Sequence, residues 1–69
     1  MKQIVTIEGM HCEMCSSRVC RVFGARDDVE SVVVDLAAKQ ATLTVSAPLT
    51  ESVVREIVED LGFDFVGLE

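Results

Sequence analysis

Apolar residues recur along this chain with two periods, every second position and every third or fourth, and each change of period predicts an element boundary. Gln3-Ile4-Val5-Thr6-Ile7-Glu8 is rich in β-branched residues and puts Val5 and Ile7 on one face, which predicts a half-buried strand ended by Gly9. From Cys15 the period lengthens. Val19, Val22 and Phe23 follow it at i+4, i+7 and i+8, the stripe of an amphipathic helix starting near Met14. The helix should end close to Gly24, because glycine costs about 1 kcal/mol inside a helix. Val29 to Asp35 returns to strand character, with Val32, Val34 and Leu36 on one side, and Ala37-Ala38-Lys39 reads as a turn. Gln40 to Val45 alternates cleanly, Ala41, Leu43 and Val45 pointing in and Thr42 and Thr44 out, so the two strands should pair as a hairpin.

Ala47-Pro48-Leu49 then breaks the strand. Thr50 is placed to cap a second helix, and Glu51 suits the positive end of its dipole. Val53, Val54, Ile57, Val58 and Leu61 form its apolar stripe, with Gly62 at the C′ stop and a last short strand from Phe63 to Val66. The order βαββαβ predicts an α+β, ferredoxin-like fold: a four-stranded antiparallel sheet with both helices on one face. No repeat or linker interrupts it, so residues 1–69 are expected to form one domain.

Size and charge narrow the function. A 69-residue chain supports one core and cannot also enclose a deep catalytic pocket without losing stability, which places function on a surface loop and argues against an enzyme. Lys+Arg 6 against Asp+Glu 12 gives a formal net charge of -6, unsuited to nucleic acid or an anionic membrane and better matched to a basic face on another protein. No apolar run approaches the roughly 20 residues a membrane span needs, so a soluble, unprocessed chain without membrane insertion is expected. Three cysteines exclude a fully paired disulfide framework, and a close pair suggests metal or redox use in a reducing compartment, with the cytoplasm as the default.

That pair lies in Gly9-Met10-His11-Cys12-Glu13-Met14-Cys15, where the first strand gives way to the first helix. Cys12 should sit on the loop and Cys15 in the opening turn, both sulfurs able to face one point. The partial positive charge and open N–H groups of a helix N-terminus favour thiolate, the metal-binding form, and Arg18 one turn along adds to this. No second C-x-x-C or His pair completes the four-ligand set of structural zinc, whereas two-coordinate thiolate binding suits Cu(I) and leaves the ion open to an incoming thiolate. C-x-x-C alone is shared by zinc modules, redox proteins and chance. Thioredoxin-like oxidoreductases also carry it at a helix N-terminus, but in a larger fold with another element order. Cys20 is five residues beyond Cys15, about 140° away around a helix, and should not reach the same ion.

With Gly9-Met10-His11-Cys12-Glu13-Met14-Cys15 in this place, the chain resembles the heavy-metal-associated domains, whose signature is G-M-x-C-x-x-C. The similarity runs on through Val19, Val29-Glu30-Ser31-Val32-Val33-Val34-Asp35-Leu36, Ala41-Thr42-Leu43-Thr44-Val45 and Ile57-Val58-Glu59-Asp60-Leu61-Gly62-Phe63. The resemblance implies the βαββαβ fold, metal binding by Cys12 and Cys15, Met10 as a packing anchor under the loop, and a role in metal trafficking. It is similar both to free copper chaperones and to the N-terminal domains of metal-pumping P-type ATPases, and looks more like the former. The implied cargo is Cu(I), with Zn(II), Cd(II) or Hg(II) as the alternative. The implied partner is a copper-transporting P-type ATPase or another copper acceptor, and a metal-bridged homodimer is a further expected state. Two positions depart from the family pattern: Phe63 stands where a lysine or tyrosine is frequent, and His11 precedes the first cysteine, where copper carriers commonly have a small or hydroxyl-bearing residue.

Overall fold

The computed structural model describes residues 1–11 and 13–69. Its elements follow in the order β1 (Lys2–Glu8), α1 (Glu13–Gly24), β2 (Val29–Asp35), β3 (Gln40–Val45), α2 (Glu51–Asp60) and β4 (Asp64–Leu68). The strands form one antiparallel sheet in the order β2-β3-β1-β4, the ferredoxin-like arrangement expected from the sequence. Val5 and Ile7 of β1, Ala41, Leu43 and Val45 of β3, Val19 and Phe23 of α1, and Val54 and Val58 of α2 share one buried cluster. Each such side chain contributes about 1.5–3 kcal/mol on leaving water. Alternation along the strands is what places them together, since Thr42 and Thr44 fall on the opposite, half-exposed face.

The ends of α2 are closed by the residues the sequence pointed to. Thr50 has extended backbone geometry, and its hydroxyl accepts from the Val53 N–H at 3.4 Å. At the other end Gly62 has φ +89, its N–H donates to the Glu59 carbonyl, and the Phe63 N–H reaches back to the Val58 carbonyl. This is a Schellman closure, and it leads the chain directly into buried Phe63.

Two expectations need correction. Val22 was assigned to the apolar stripe of α1, yet it is 37% exposed while Val19 and Phe23 are fully buried. At about 100° per residue Val22 lies at the flank of the stripe, beyond the cover of the sheet. The last strand is not Phe63 to Val66 but Asp64–Leu68. Leu68 pairs with Val5, and Glu69 exchanges two backbone hydrogen bonds with Ile4, at 2.8 and 2.9 Å. A bulge explains the difference: the register shifts between Thr6 and Ile7, leaving Val66 as the extra residue on β4, so the inward alternation is broken where the strand continues.

Candidate metal-binding loop

β1 delivers the chain to the loop before α1, and Gly9 turns it. Gly9 has φ +100, a conformation open to glycine and strained for residues with a side chain. A Cβ at Gly9 would lie 3.5 Å from Phe63 Cδ1, so the loop entering α1 and the loop leaving α2 are in close contact. Met10 follows at 6% exposure, its side chain in the core, while His11 is exposed. The loop is thus held from below by Met10 and from the side by Phe63, and presents His11 to solvent. Phe63 is buried in the core cluster and supports the loop through Gly9.

α1 begins at Glu13, whose carboxylate suits the positive end of the helix dipole. Its carbonyl accepts from the Ser16 hydroxyl at 2.9 Å. Cys15 lies in the first turn, half-buried against the core, as the helical period required. Arg18 is exposed one turn on. The placement of Cys12 on the loop lies outside the described residues. Between the cysteines, Glu13 and Met14 point into solvent, Met14 at 76% exposure.

Cys20 belongs to a different environment. Its sulfur faces the Val32 carbonyl of β2 at 4.0 Å, placing the thiol at the α1–β2 contact. Among the described residues no three His, Cys, Asp or Glu side chains gather into a metal cage. The one strong electrostatic pairing lies away from the loop: the Arg26 guanidinium donates to both oxygens of Asp28, at 3.0 and 3.1 Å. Those hydrogen bonds hold the Asp28 carboxyl below its ordinary pKa and raise that of Arg26. The exposure of Glu13 and Met14 is that of simple spacers between the cysteines, whereas the Gly9–Phe63 contact had no signal in the sequence, because it depends on how two separate segments meet.

A ferredoxin-like sandwich with a cysteine in the first turn of its first helix, beside a loop anchored from the core, defines a small α+β domain. The chain belongs to the heavy-metal-associated domain family, whose model matches residues 4–64. It is 34% identical over 62 residues to Copper-transporting ATPase 1 of Mus musculus, a match covering 88% of this chain and 4% of that protein. The chain therefore spans only a small part of that relative's length. Among solved structures it is similar to the CopZ metallochaperone, with 30% identity, a TM-score of 0.86 and coverage of 96% of this chain and 100% of that one. It is also similar to a chain of the Atx1-Cu(I)-Ccc2a complex, with 26% identity, a TM-score of 0.81 and coverage of 99% and 90%. Among the described residues, no helix is long and apolar enough to cross a membrane.

Proposed function

We propose that this chain is a carrier of Cu(I), which Cys12 and Cys15 hold as a thiolate pair and pass to a partner protein by ligand exchange. The observation that carries this reading is the position of Gly9-Met10-His11-Cys12-Glu13-Met14-Cys15: the family's motif falls on a loop where a buried anchor, Met10, lies beside exposed residues and a helix N-terminus. Soft thiolates select Cu(I), and the helix terminus favours their ionised form. Similarity to a metallochaperone supports the carrier reading, and similarity to a chain of a Cu(I)-bearing complex supports handover between two such domains. The partner is then a copper-transporting P-type ATPase or another copper acceptor with its own exposed cysteine pair. The chain acts in the cytoplasm as a single metal-binding unit of residues 1–69 and catalyses no reaction.

Two neighbouring readings differ in defined ways. The match to a copper-transporting ATPase favours a metal-binding domain of such a pump, with the same loop and cargo. Exposed His11 beside Cys12 favours Zn(II), for which imidazole is a good ligand, and with it the Cd(II) and Hg(II) carriers. Purification under anaerobic, reducing conditions followed by metal analysis separates the cargoes. Cu(I) bound at one ion per chain, with His11→Ala lowering Zn(II) affinity alone, supports the copper carrier. Zn(II) retained in preference to Cu(I) overturns it.

A further inference from the structure

The sheet has two edges, and they are unlike. β4 is five residues long, and its register against β1 shifts at the Val66 bulge, which blunts it for further pairing. β2 runs for seven residues, and past its own irregularity at Glu30 it pairs with β3 without interruption from Ser31 to Asp35. The ladder bonds fix which of its backbone groups look outward. Met1 and Val45 exchange hydrogen bonds of 3.1 and 2.7 Å, and the Ile7 N–H donates to the Lys39 carbonyl at 2.9 Å, so Ala41, Leu43 and Val45 bond toward β1. Gln40, Thr42 and Thr44 then bond toward β2, where they engage Asp35, Val33 and Ser31. Val32 and Val34 therefore turn their N–H and C=O groups to the open edge. The Cys20 thiol, 4.0 Å from the Val32 carbonyl, is a weak donor to one of these groups. Between them Val33 is 65% exposed, on the sheet face away from the helices.

Edge strands are commonly guarded against pairing by charge, proline or a bulge. β2 has neither lysine nor proline, and its guard is acidic: Glu30 and Asp35 are exposed toward its two ends, and neither enters the three ion pairs among the described residues. Pairing with the β2 of a second copy would gather the carboxylates of both strands without a cation, in chains that each carry a net charge of -6. A strand of opposite sign meets no such penalty. We propose that the β2 edge is a docking site for an extended, basic segment of a partner protein, which adds antiparallel as a fifth strand through the backbone of Val32 and Val34. Main-chain hydrogen bonds supply the attachment and side chains the selection: a β-branched residue of the segment covers Val33, and lysine or arginine toward its two ends meets Asp35 and Glu30. The site needs no metal. With β3 and β2 between, the added strand lies three strand spacings from β1, about 14 Å, so it tethers a partner without using Cys12 or Cys15.

Amide hydrogen exchange of the isotope-labelled, reduced, metal-free chain reads the outward groups directly. The probe is a short capped peptide of alternating valine and threonine with lysine at both ends. The Val32 and Val34 amides should exchange quickly in the free chain and slow about ten-fold or more at saturating peptide, while Ser31, Val33 and Asp35, already bonded to β3, change little. A peptide with glutamate in place of lysine should give no slowing, and neither should the lysine peptide with its bonding backbone nitrogens methylated. Glu30→Lys with Asp35→Asn should lose the response to the lysine peptide in a chain whose amide spectrum is otherwise native; the asparagine oxygen can still accept from the Ala38 N–H as Asp35 does at 3.1 Å. No slowing with the lysine peptide, or equal slowing with the glutamate or methylated one, would overturn the proposal. So would protection of Val32 and Val34 that grows with protein concentration alone, because the occupant would then be a second copy.

Discussion

Between β3 and α2 the chain buries Leu49, ties it to Gln3 by hydrogen bonds of 2.9 and 3.1 Å, and caps the helix with Thr50. Between β1 and α1 it buries Met10 in the same way, but then exposes His11, and α1 begins at Glu13. Both junctions anchor a strand-to-helix turn with one apolar side chain. They differ in what stands at the helix N-terminus: at α2 it is satisfied by the Thr50 hydroxyl, and at α1 it adjoins the proposed thiolate pair. A fold that repeats a junction can devote one copy to stability and the other to a ligand.

The largest effect that would break this contrast is on metal binding. Replacing Cys12 and Cys15 by Ser should abolish tight Cu(I) binding, since a hydroxyl is a hard and poorly ionised ligand, and should leave the thermal midpoint nearly unchanged; chelator competition and a melting curve check the two halves. The anchors should behave alike despite their different neighbours. Met10→Ala and Leu49→Ala each create a cavity at a buried position and should cost about 2–5 kcal/mol in denaturant unfolding.

Gly9→Ala sharpens the comparison at the backbone. The new Cβ would meet Phe63 at ordinary contact distance, so the cost comes from φ +100 and should be about 1–2 kcal/mol, with weakened Cu(I) binding because the loop shifts. Thr50→Ala is its counterpart at the other junction, expected to cost about 0.5–1 kcal/mol with Cu(I) affinity unaltered. The smallest effect belongs to the α1–β2 turn. Arg26 lowers the Asp28 pKa, so this pair stabilises the fold above the ordinary carboxylate pKa of about 3.9 and loses its contribution as pH falls through the lower folded value. An acid-unfolding profile of Asp28→Asn should lack that small component while matching the unmodified chain near neutrality.

Much of this was legible in the sequence because the residues concerned act locally. The alternation of Gln40 to Val45, the Thr50 cap and the Gly62 stop each depend on neighbours a few positions away, and all three stand in the structure. Val22 misled because a helical stripe has a flank, and only the width of the facing sheet decides whether the flank is covered. The extension of β4 to Leu68 was hidden by the bulge at Val66, which reverses the inward positions within one strand. At the loop, the motif located Cys15 in the first turn of α1, but the support from Phe63 follows from α2 closing against β1, a contact between residues 9 and 63 that no local pattern announces.

The proposed thiolate pair at the β1–α1 junction is tested most directly by X-ray absorption of the Cu(I)-loaded, reduced protein, measured alongside His11→Ala and Cys20→Ala. The expected spectrum has sulfur alone in the first shell and is the same in all three. A nitrogen contribution that disappears with His11, or a sulfur that disappears with Cys20, would contradict binding by Cys12 and Cys15 alone.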